Sequence, residues 1–222
     1  MGNKDSFDSL KQLAVSIRIY LVKRLCLSGL LTYLLILTQP IYAQESPLAE
    51  KIRDVSPDKK FAMRISYDAN MNQELIKGQN ANAEKIFPQA IKAIGLVSLP
   101  QKVVVADLPW DRSAVDVSLT WSSDSKWCAF YANMSRTSET TVYHLRGDKF
   151  VEMGGEEELE VDVKGDVRLV WVTPIRWIKP GVLLLEQHVT NGKDATYRFT
   201  ARFEEKTGKF RIISKKKVPS KE

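Results

Sequence analysis

The feature that most constrains the fold is a series of short apolar runs, each bounded by turn residues. β-Branched and aromatic residues dominate these runs, a composition typical of β-strands. The Asn191-Gly192 pair between two such runs is a strong hairpin signal. Helical patterns are few: the best candidate, residues 80–91, is interrupted by Pro88, and residues 68–74 and 78–82 look polar and loop-like. Strands are predicted at residues 60–67, 93–98, 103–108, 115–121, 127–133, 140–145, 149–153, 167–173, 182–189, 195–204 and 209–214.

One motif also repeats along the chain. The stretch that runs from Val55 to Met63, VSPDKKFAM, resembles WSSDSKWCA, which begins at Trp121, and a weaker third copy begins at Trp177. The first two copies place Ser-x-Asp in a turn, followed by a basic residue and an aromatic residue that starts a strand. Asx-type hydrogen bonding explains these turn residues as structural. They are Ser56, Asp58, Ser122 and Asp124.

The repeat and the strand spacing together predict an all-β fold of three antiparallel meander units that stack on a shared core. The motif resembles the blade-starting motif of TolB-type, WD40-like β-propellers, usually Ser-Pro-Asp-Gly followed by a basic and an aromatic residue. The resemblance covers residues 55–213, with Lys59 and Ser125 where glycine is usual. Closed propellers typically have at least four blades. We therefore expect an incomplete propeller-like arc or stacked sheets, with closure by a second chain as the alternative.

The N-terminal segment has the layout of a secretory signal peptide. Residues 1–43 contain a basic stretch ending at Lys23-Arg24, an apolar run over residues 25–38, and a final small residue, Ala43. This run is shorter than the roughly 20 residues of a membrane-spanning helix. We expect a signal helix that is removed on export, with an uncleaved anchor as the alternative. The mature protein would be periplasmic or secreted, with one β-repeat domain at residues 44–213 and a basic, flexible tail at 214–222.

The net charge of +6 is ambiguous until it is divided along the chain. Residues 1–43 have five basic and two acidic side chains, and the remainder has 28 basic and 25 acidic. A nearly neutral mature protein is not expected to bind nucleic acid, which requires clustered cations. Cys128 is the only cysteine outside the signal segment, so no internal disulfide is expected. Its strand-like surroundings predict a buried, inert thiol.

The candidate binding residues are Trp110, Asp111 and Arg112, in a turn outside the repeat. The other tryptophans lie in predicted strands or at repeat positions, which indicates packing. Motifs for a nucleophile elbow, a phosphate loop, a dinucleotide site or a zincin are absent from the sequence. His144 and His188 lack metal-ligand spacing, and the acidic run at 154–162 lacks the order of a calcium loop. No cofactor or metal is therefore predicted.

Two functional hypotheses follow from these patterns. The leading one is a non-catalytic, exported β-repeat protein that binds a protein or glycan partner in the bacterial envelope. Unpaired strand edges at the ends of the arc, the loop at 68–90 and the basic tail would provide contacts. The alternative is a small exported hydrolase that uses Asp58 or Asp124 with His144 or His188. That alternative requires a carboxylate within hydrogen-bond distance of a histidine.

Overall fold

The computed structural model describes residues 48–111, 113–165, 167–190 and 194–219, all within the unit Ser46–Glu222. The predicted signal segment, Arg112 and the turn pair Asn191-Gly192 lie outside the described residues. In the ranges that are described, no helix has both the length and the apolar character needed to cross a membrane.

The described residues form twelve strands, two α-helices and one short 3-10 helix at Pro88–Ala90. The helices are α1 (Ala69–Gly78) and α2 (Glu156–Leu159). The strands are β1 (Leu48–Arg53), β2 (Phe61–Asp68), β3 (Ile91–Ser98), β4 (Val103–Asp107), β5 (Ala114–Trp121), β6 (Trp127–Met134), β7 (Ser138–Arg146), β8 (Lys149–Gly154), β9 (Leu169–Lys179), β10 (Val182–Thr190), β11 (Asp194–Glu204) and β12 (Lys209–Val218).

Each group of four consecutive strands forms one antiparallel sheet in chain order. Sheet I contains β1–β4, sheet II contains β5–β8 and sheet III contains β9–β12. Antiparallel neighbours need no crossover connection, whether a short turn joins them or, as between β2 and β3, a segment that contains α1. The all-β meander predicted from the sequence is confirmed, and the three sheets do not form a closed barrel. Pairing of Thr190 with Asp194 also confirms the predicted β10–β11 hairpin.

Strand β1 was not predicted, because Ile52 is the only β-branched residue of its sequence LAEKIR and none of the six is aromatic. It is formed by pairing instead. All six of its residues pair with β2, from Leu48 opposite Asp68 to Arg53 opposite Met63. Tertiary contact thus overrides a weak local preference at the edge of sheet I.

The expectation of a loop at 68–74 is wrong, since α1 begins at Ala69 and ends at Gly78, whereas residues 79–82 are turn or irregular. The Asp68 carboxylate accepts a hydrogen bond from the Met71 backbone N–H at 2.9 Å, which is the N-cap arrangement that starts a helix. Pro88 begins only a short 3-10 helix, so the candidate helix at 80–91 is not formed as a unit.

Strand β12 extends to Val218, so the predicted tail boundary at residue 214 is too early. Lys215, Lys216 and Lys217 are backbone-paired with Phe199, Arg198 and Tyr197. The run of lysines concealed the strand because lysine is depleted in strands, although exposed edge strands tolerate it well.

Sheet II lies between the other two and is buried on both faces. On β6, Cys128 and Phe130 belong to a core cluster shared with sheet I, while Trp127 and Ala129 belong to a cluster shared with sheet III. Successive strand residues point to opposite faces. The continuous apolar run of β6 is therefore the sequence signature of a central sheet. Cys128 is fully buried, as expected, and burial raises the pKa of its thiol.

Two buried amide side chains anchor the longer connections. Asn72 on α1 accepts from the Phe87 N–H at 2.8 Å and donates to the Lys85 carbonyl at 3.0 Å. Gln187 on β10 likewise accepts from the Val161 N–H and donates to the Val161 carbonyl at 2.9 Å. Each amide satisfies backbone groups that would otherwise be buried without partners, which is costly.

Candidate functional site

The Ser-x-Asp turns of sheets I and II share the same internal hydrogen bonds. In the first turn, Ser56 Oγ accepts from the Phe61 N–H at 3.0 Å and donates to Asp58 Oδ1 at 2.7 Å. Asp58 Oδ1 also accepts from the Lys60 N–H at 3.1 Å. In the second turn, Ser122 accepts from the Trp127 N–H at 3.0 Å, and Asp124 accepts from the Lys126 N–H at 3.1 Å. The side chains of these four predicted turn residues thus form hydrogen bonds within their own turns, to backbone N–H groups and to each other.

The positions where the resembling family usually has glycine are left-handed in this structure. Lys59 has φ 61° and Ser125 has φ 58°, and the aligned residue of the third copy, Gly181, has φ 70°. Glycine adopts this conformation without steric cost, whereas lysine and serine do not. The side-chain bonds of the first two turns stabilise a backbone shape that is strained for the residues present.

The two turns are also bonded to each other. The Asp58 N–H donates to Ser125 Oγ at 3.0 Å, linking sheet I to sheet II. Desolvation alone would raise the pKa of the Asp58 carboxyl, but hydrogen bonds from Ser56, Lys60 and Ser125 outweigh it, and the pKa is lowered. Asp58 is therefore held as a carboxylate and acts within the turn network.

The repeated tryptophans join each sheet to the one before it. The Trp121 indole N–H donates to the Asp54 carbonyl at 2.6 Å, and the Trp177 indole N–H donates to the Thr120 carbonyl at 2.8 Å. Asp54 and Thr120 each precede the motif's first residue, so the two bonds are equivalent. The expectation that these residues pack is met, but the sequence did not predict the bonds. At the first copy the position is Val55, which is 47% exposed.

Side chains of the preceding sheet also satisfy the edges of β5 and β9. The Asp54 carboxylate accepts from the Leu119 N–H at 2.9 Å. Ser138 Oγ accepts from the Val172 N–H at 2.8 Å, and Thr140 Oγ1 donates to the Val172 carbonyl at 2.7 Å. At these positions the edges are not open for pairing with another chain.

The candidate binding residue Trp110 is half-buried and lines a cleft between sheets I and II. The cleft has a volume of about 240 Å³. Its apolar lining includes the buried side chains of Ile65, Ile91 and Val117, which belong to the core cluster that Trp110 packs against. Trp110 thus forms an aromatic wall of the cleft, next to an apolar floor of Ile65, Ile91 and Val117 where sheets I and II meet.

Charged groups surround this cleft. Lys51 donates to the Glu84 carbonyl at 2.9 Å, and Arg53 lies 3.8 Å from the Asp116 carboxylate. Exposed ion pairs of this kind contribute little to stability. Lys85 adds a further cation to the lining. These residues come from separate segments, so no sequence motif indicated that they would meet around Trp110.

The other two predicted binding residues are not shown to enter the cleft. Asp111 closes its own turn: its carboxylate accepts from the Ser113 N–H at 2.7 Å, and its carbonyl accepts from the Ala114 N–H at 2.9 Å. Arg112 lies outside the described residues. Asp111 therefore positions the start of β5, beside Trp110.

The arrangement required by the hydrolase hypothesis is not formed among the described residues. His188 Nδ1 is 3.1 Å from Thr196 Oγ1, and His144 Nδ1 is buried without a hydrogen-bond partner. His144 stacks on Trp127 with ring centroids 3.9 Å apart. Desolvation, followed by the charge of Arg146, lowers its pKa. Within the described ranges, no cluster of three His, Cys, Asp or Glu is arranged to hold a metal.

No known family model matches the chain, and no curated protein matches its sequence. Among solved structures, the chain is similar to the crystal structure of the WD40 domain of SCAP from fission yeast, with 10% sequence identity and a TM-score of 0.31. The similarity covers 82% of this chain but only 37% of that chain. The three four-stranded antiparallel sheets are themselves consistent with a WD40-like repeat. The resemblance to TolB-type propellers remains a prediction.

Proposed function

We propose that this protein is a non-catalytic, exported β-repeat scaffold that binds a protein partner through the cleft beside Trp110. The size and lining of the cleft are the observation on which the proposal rests. Small-molecule sites usually have volumes of about 300–1,000 Å³. At about 240 Å³ the cleft suits one side chain of a polypeptide better than a whole substrate.

The composition of the cleft also supports a peptide ligand. Tryptophan is enriched among residues that dominate binding energy, since it gives a large contact area with few rotatable bonds. The charged groups of Lys51, Arg53 and Asp116 surround an apolar floor, which is the usual anatomy of a protein interface. An apolar side chain of the partner would fill the cleft, and its neighbours would meet these charges.

Site-specific photo-crosslinking in the native cells tests this proposal. A photoreactive amino acid replaces Val115, which lines the cleft and is 56% exposed. The matched control replaces Val151 on β8, which is 44% exposed and outside the cleft. We expect a discrete protein adduct at position 115 alone. Equal adducts at both positions, or a glycan adduct at 115, would contradict the proposal.

Two further variants connect the adduct to the cleft. Trp110→Ala removes the aromatic wall, and we expect it to abolish the adduct at position 115. Because Trp110 also packs on the core, Asp116→Lys serves as a second variant at a side chain that is 65% exposed. It reverses a charge beside the cleft and removes one hydrogen bond, from the Val117 N–H at 2.8 Å. We expect a clear reduction of the adduct with at most a small decrease in melting temperature. An adduct that persists in both variants would count against the cleft.

Export to the bacterial envelope forms part of the same proposal and rests on the N-terminal segment. Its basic stretch, short apolar run and terminal Ala43 support targeting to the secretory pathway. Cell fractionation with N-terminal sequencing tests it. We expect the mature chain outside the cytoplasm with its first residue at Gln44. A full-length cytoplasmic chain would contradict export, and a full-length membrane-bound chain would favour the anchor.

A further inference from the structure

Charge is strongly separated along the chain outside the signal segment. Residues 44–166 have 15 basic and 20 acidic side chains, a net charge of −5. Residues 167–222, which include sheet III, have 13 basic and 5 acidic side chains, a net charge of +8. The nearly neutral total hides this separation. Sheet III is therefore a basic unit attached to an acidic remainder, a pattern typical of interaction surfaces.

Strand register places several of these cations on one face of sheet III. Phe199 and Ala201 of β11 belong to the core cluster. Because strand residues alternate between faces, Arg198 and Arg202 lie on the opposite, outer face. Four cations on two adjacent strands of this outer face define what is called here the basic face: Arg198 and Arg202 of β11 with their β12 partners Lys216 and Arg211.

The cross-strand pairs on the basic face have like charges. Arg198 is opposite Lys216, and Arg202 is opposite Arg211. Like charges directly opposite each other destabilise a sheet. Arg198 has Glu186 at 2.8 Å and Arg211 has Glu204 at 3.6 Å, but Arg202 and Lys216 form no ion pair among the described residues. An external anion would relieve this repulsion.

A cleft of about 280 Å³ opens on the same face. It is lined by apolar Leu184, by Thr200 and Ser214, and by Arg198 and Lys216. Hydroxyl groups donate hydrogen bonds to carboxylates, and Arg and Lys pair with them. A pocket for one side chain, with an apolar wall and two cations, fits a protruding acidic residue better than a flat lipid surface.

We propose that the basic face of sheet III docks an acidic polypeptide segment, with one Asp or Glu side chain in the cleft between Arg198 and Lys216. The proposal rests on the proposed function in taking the protein to be a binding scaffold. It uses a different sheet from the Trp110 cleft, so it assigns a second contact and the chemistry of its partner.

Fluorescence anisotropy with a labelled twenty-residue polyglutamate peptide tests this docking on the full chain. We expect saturable binding at low salt that weakens steadily as salt rises, as for contacts between exposed charges. The double variant Arg202→Glu with Lys216→Glu should weaken binding at least tenfold. The matched control, Lys77→Glu on α1 with Lys149→Glu on β8, makes the same change in net charge at exposed positions outside sheet III. It should weaken binding less than twofold.

Thermal melting separates loss of binding from loss of folding. Each reversal on the basic face converts a like-charge pair into an opposite-charge pair, so we expect the melting temperature to stay the same or rise. An equal loss of affinity in both double variants would overturn the proposal, since it would reflect net charge alone. Tighter binding to duplex DNA, or to vesicles of anionic phosphatidylglycerol, than to polyglutamate would also overturn it.

The two proposals fail independently. Suppose that polyglutamate does not bind, or binds equally well to the basic-face double variant, while the position-115 adduct remains. The basic face is then not a docking site, but the proposed scaffold function stands. If the adduct is absent while polyglutamate binding is lost only in the basic-face variant, the docking proposal stands and the Trp110 cleft does not.

Discussion

The turn between the first two strands of each sheet is built in two different ways. In sheets I and II it is a four-residue loop, closed by hydrogen bonds between Ser56 and Phe61 and between Ser122 and Trp127. In sheet III it is the two-residue loop Pro180-Gly181, between the paired residues Lys179 and Val182. The long turns need Ser and Asp side chains to hold a left-handed residue. The short turn needs only glycine. Repeat units can thus keep one architecture while the chemistry of the motif is lost.

The largest effect is expected at the tryptophan position that precedes these turns. Trp177 is buried and bonds to sheet II, whereas the equivalent Val55 is exposed. Trp177→Ala should lower the free energy of unfolding by about 3–5 kcal/mol, as for large aromatic truncations in cores. Val55→Ala should change it by less than about 0.5 kcal/mol. Urea unfolding of both variants measures the difference. Equal losses of unfolding free energy in the two variants would show that the first residue of the motif contributes equally in the first and third copies.

The next effect concerns the serines of the two long turns. Ser122→Ala leaves the buried N–H of Trp127 without its acceptor, which should cost about 1–3 kcal/mol. Ser56→Ala should cost less, because Phe61 is only half-buried and water can reach its N–H. Denaturant midpoints at constant m-value report both changes. A larger loss for Ser56→Ala would contradict this ranking.

A smaller effect is expected from exchanging glycine between the turn types. Gly181→Ala should destabilise by about 1–2 kcal/mol, the cost of placing an L-residue in the left-handed region. Lys59→Gly relieves that strain but adds freedom to the unfolded chain, which costs about 0.4–1 kcal/mol. Its net effect should be a small stabilisation. Thermal melts of the two variants should shift in opposite directions, and shifts in the same direction would refute the strain argument.

The smallest expected effect is the pH dependence that Asp58 contributes to the stability of the fold. Desolvation would raise the pKa of the Asp58 carboxyl, but the hydrogen bonds of its turn outweigh it and hold the pKa below the ordinary value of an aspartate. The ionised form therefore stabilises the fold at any pH above that ordinary value. This contribution is lost as pH falls through the folded pKa. Melting curves between pH 6 and pH 2 should show wild type and Asp58→Asn converging at the acidic end. A constant gap across the range would exclude a stabilising role for the carboxylate.

The candidate site was only partly predictable. Trp110 stood out because it falls outside the repeat, but its cleft is built from Ile65, Val117 and other residues of two sheets. No motif or spacing in the sequence predicts that these residues lie together around Trp110. The basic face was hidden for a related reason: whole-chain charge averages the two halves, and only strand register shows that Arg202 and Lys216 share a face.

The sequence by itself determined that strands β2 to β12 exist, with the hairpins and the repeated turns between them, since each depends on residues close in the chain. The tertiary structure decided what depends on distant partners. Strand β1 exists because β2 pairs with it. Helix α1 is held in place by hydrogen bonds from Asn72 to the segment before Ile91. Strand β12 continues through its lysines because β11 pairs with them. Local preference sets the backbone of a short segment, but burial and pairing across the molecule decide which weak segments become ordered and which charges face outward together.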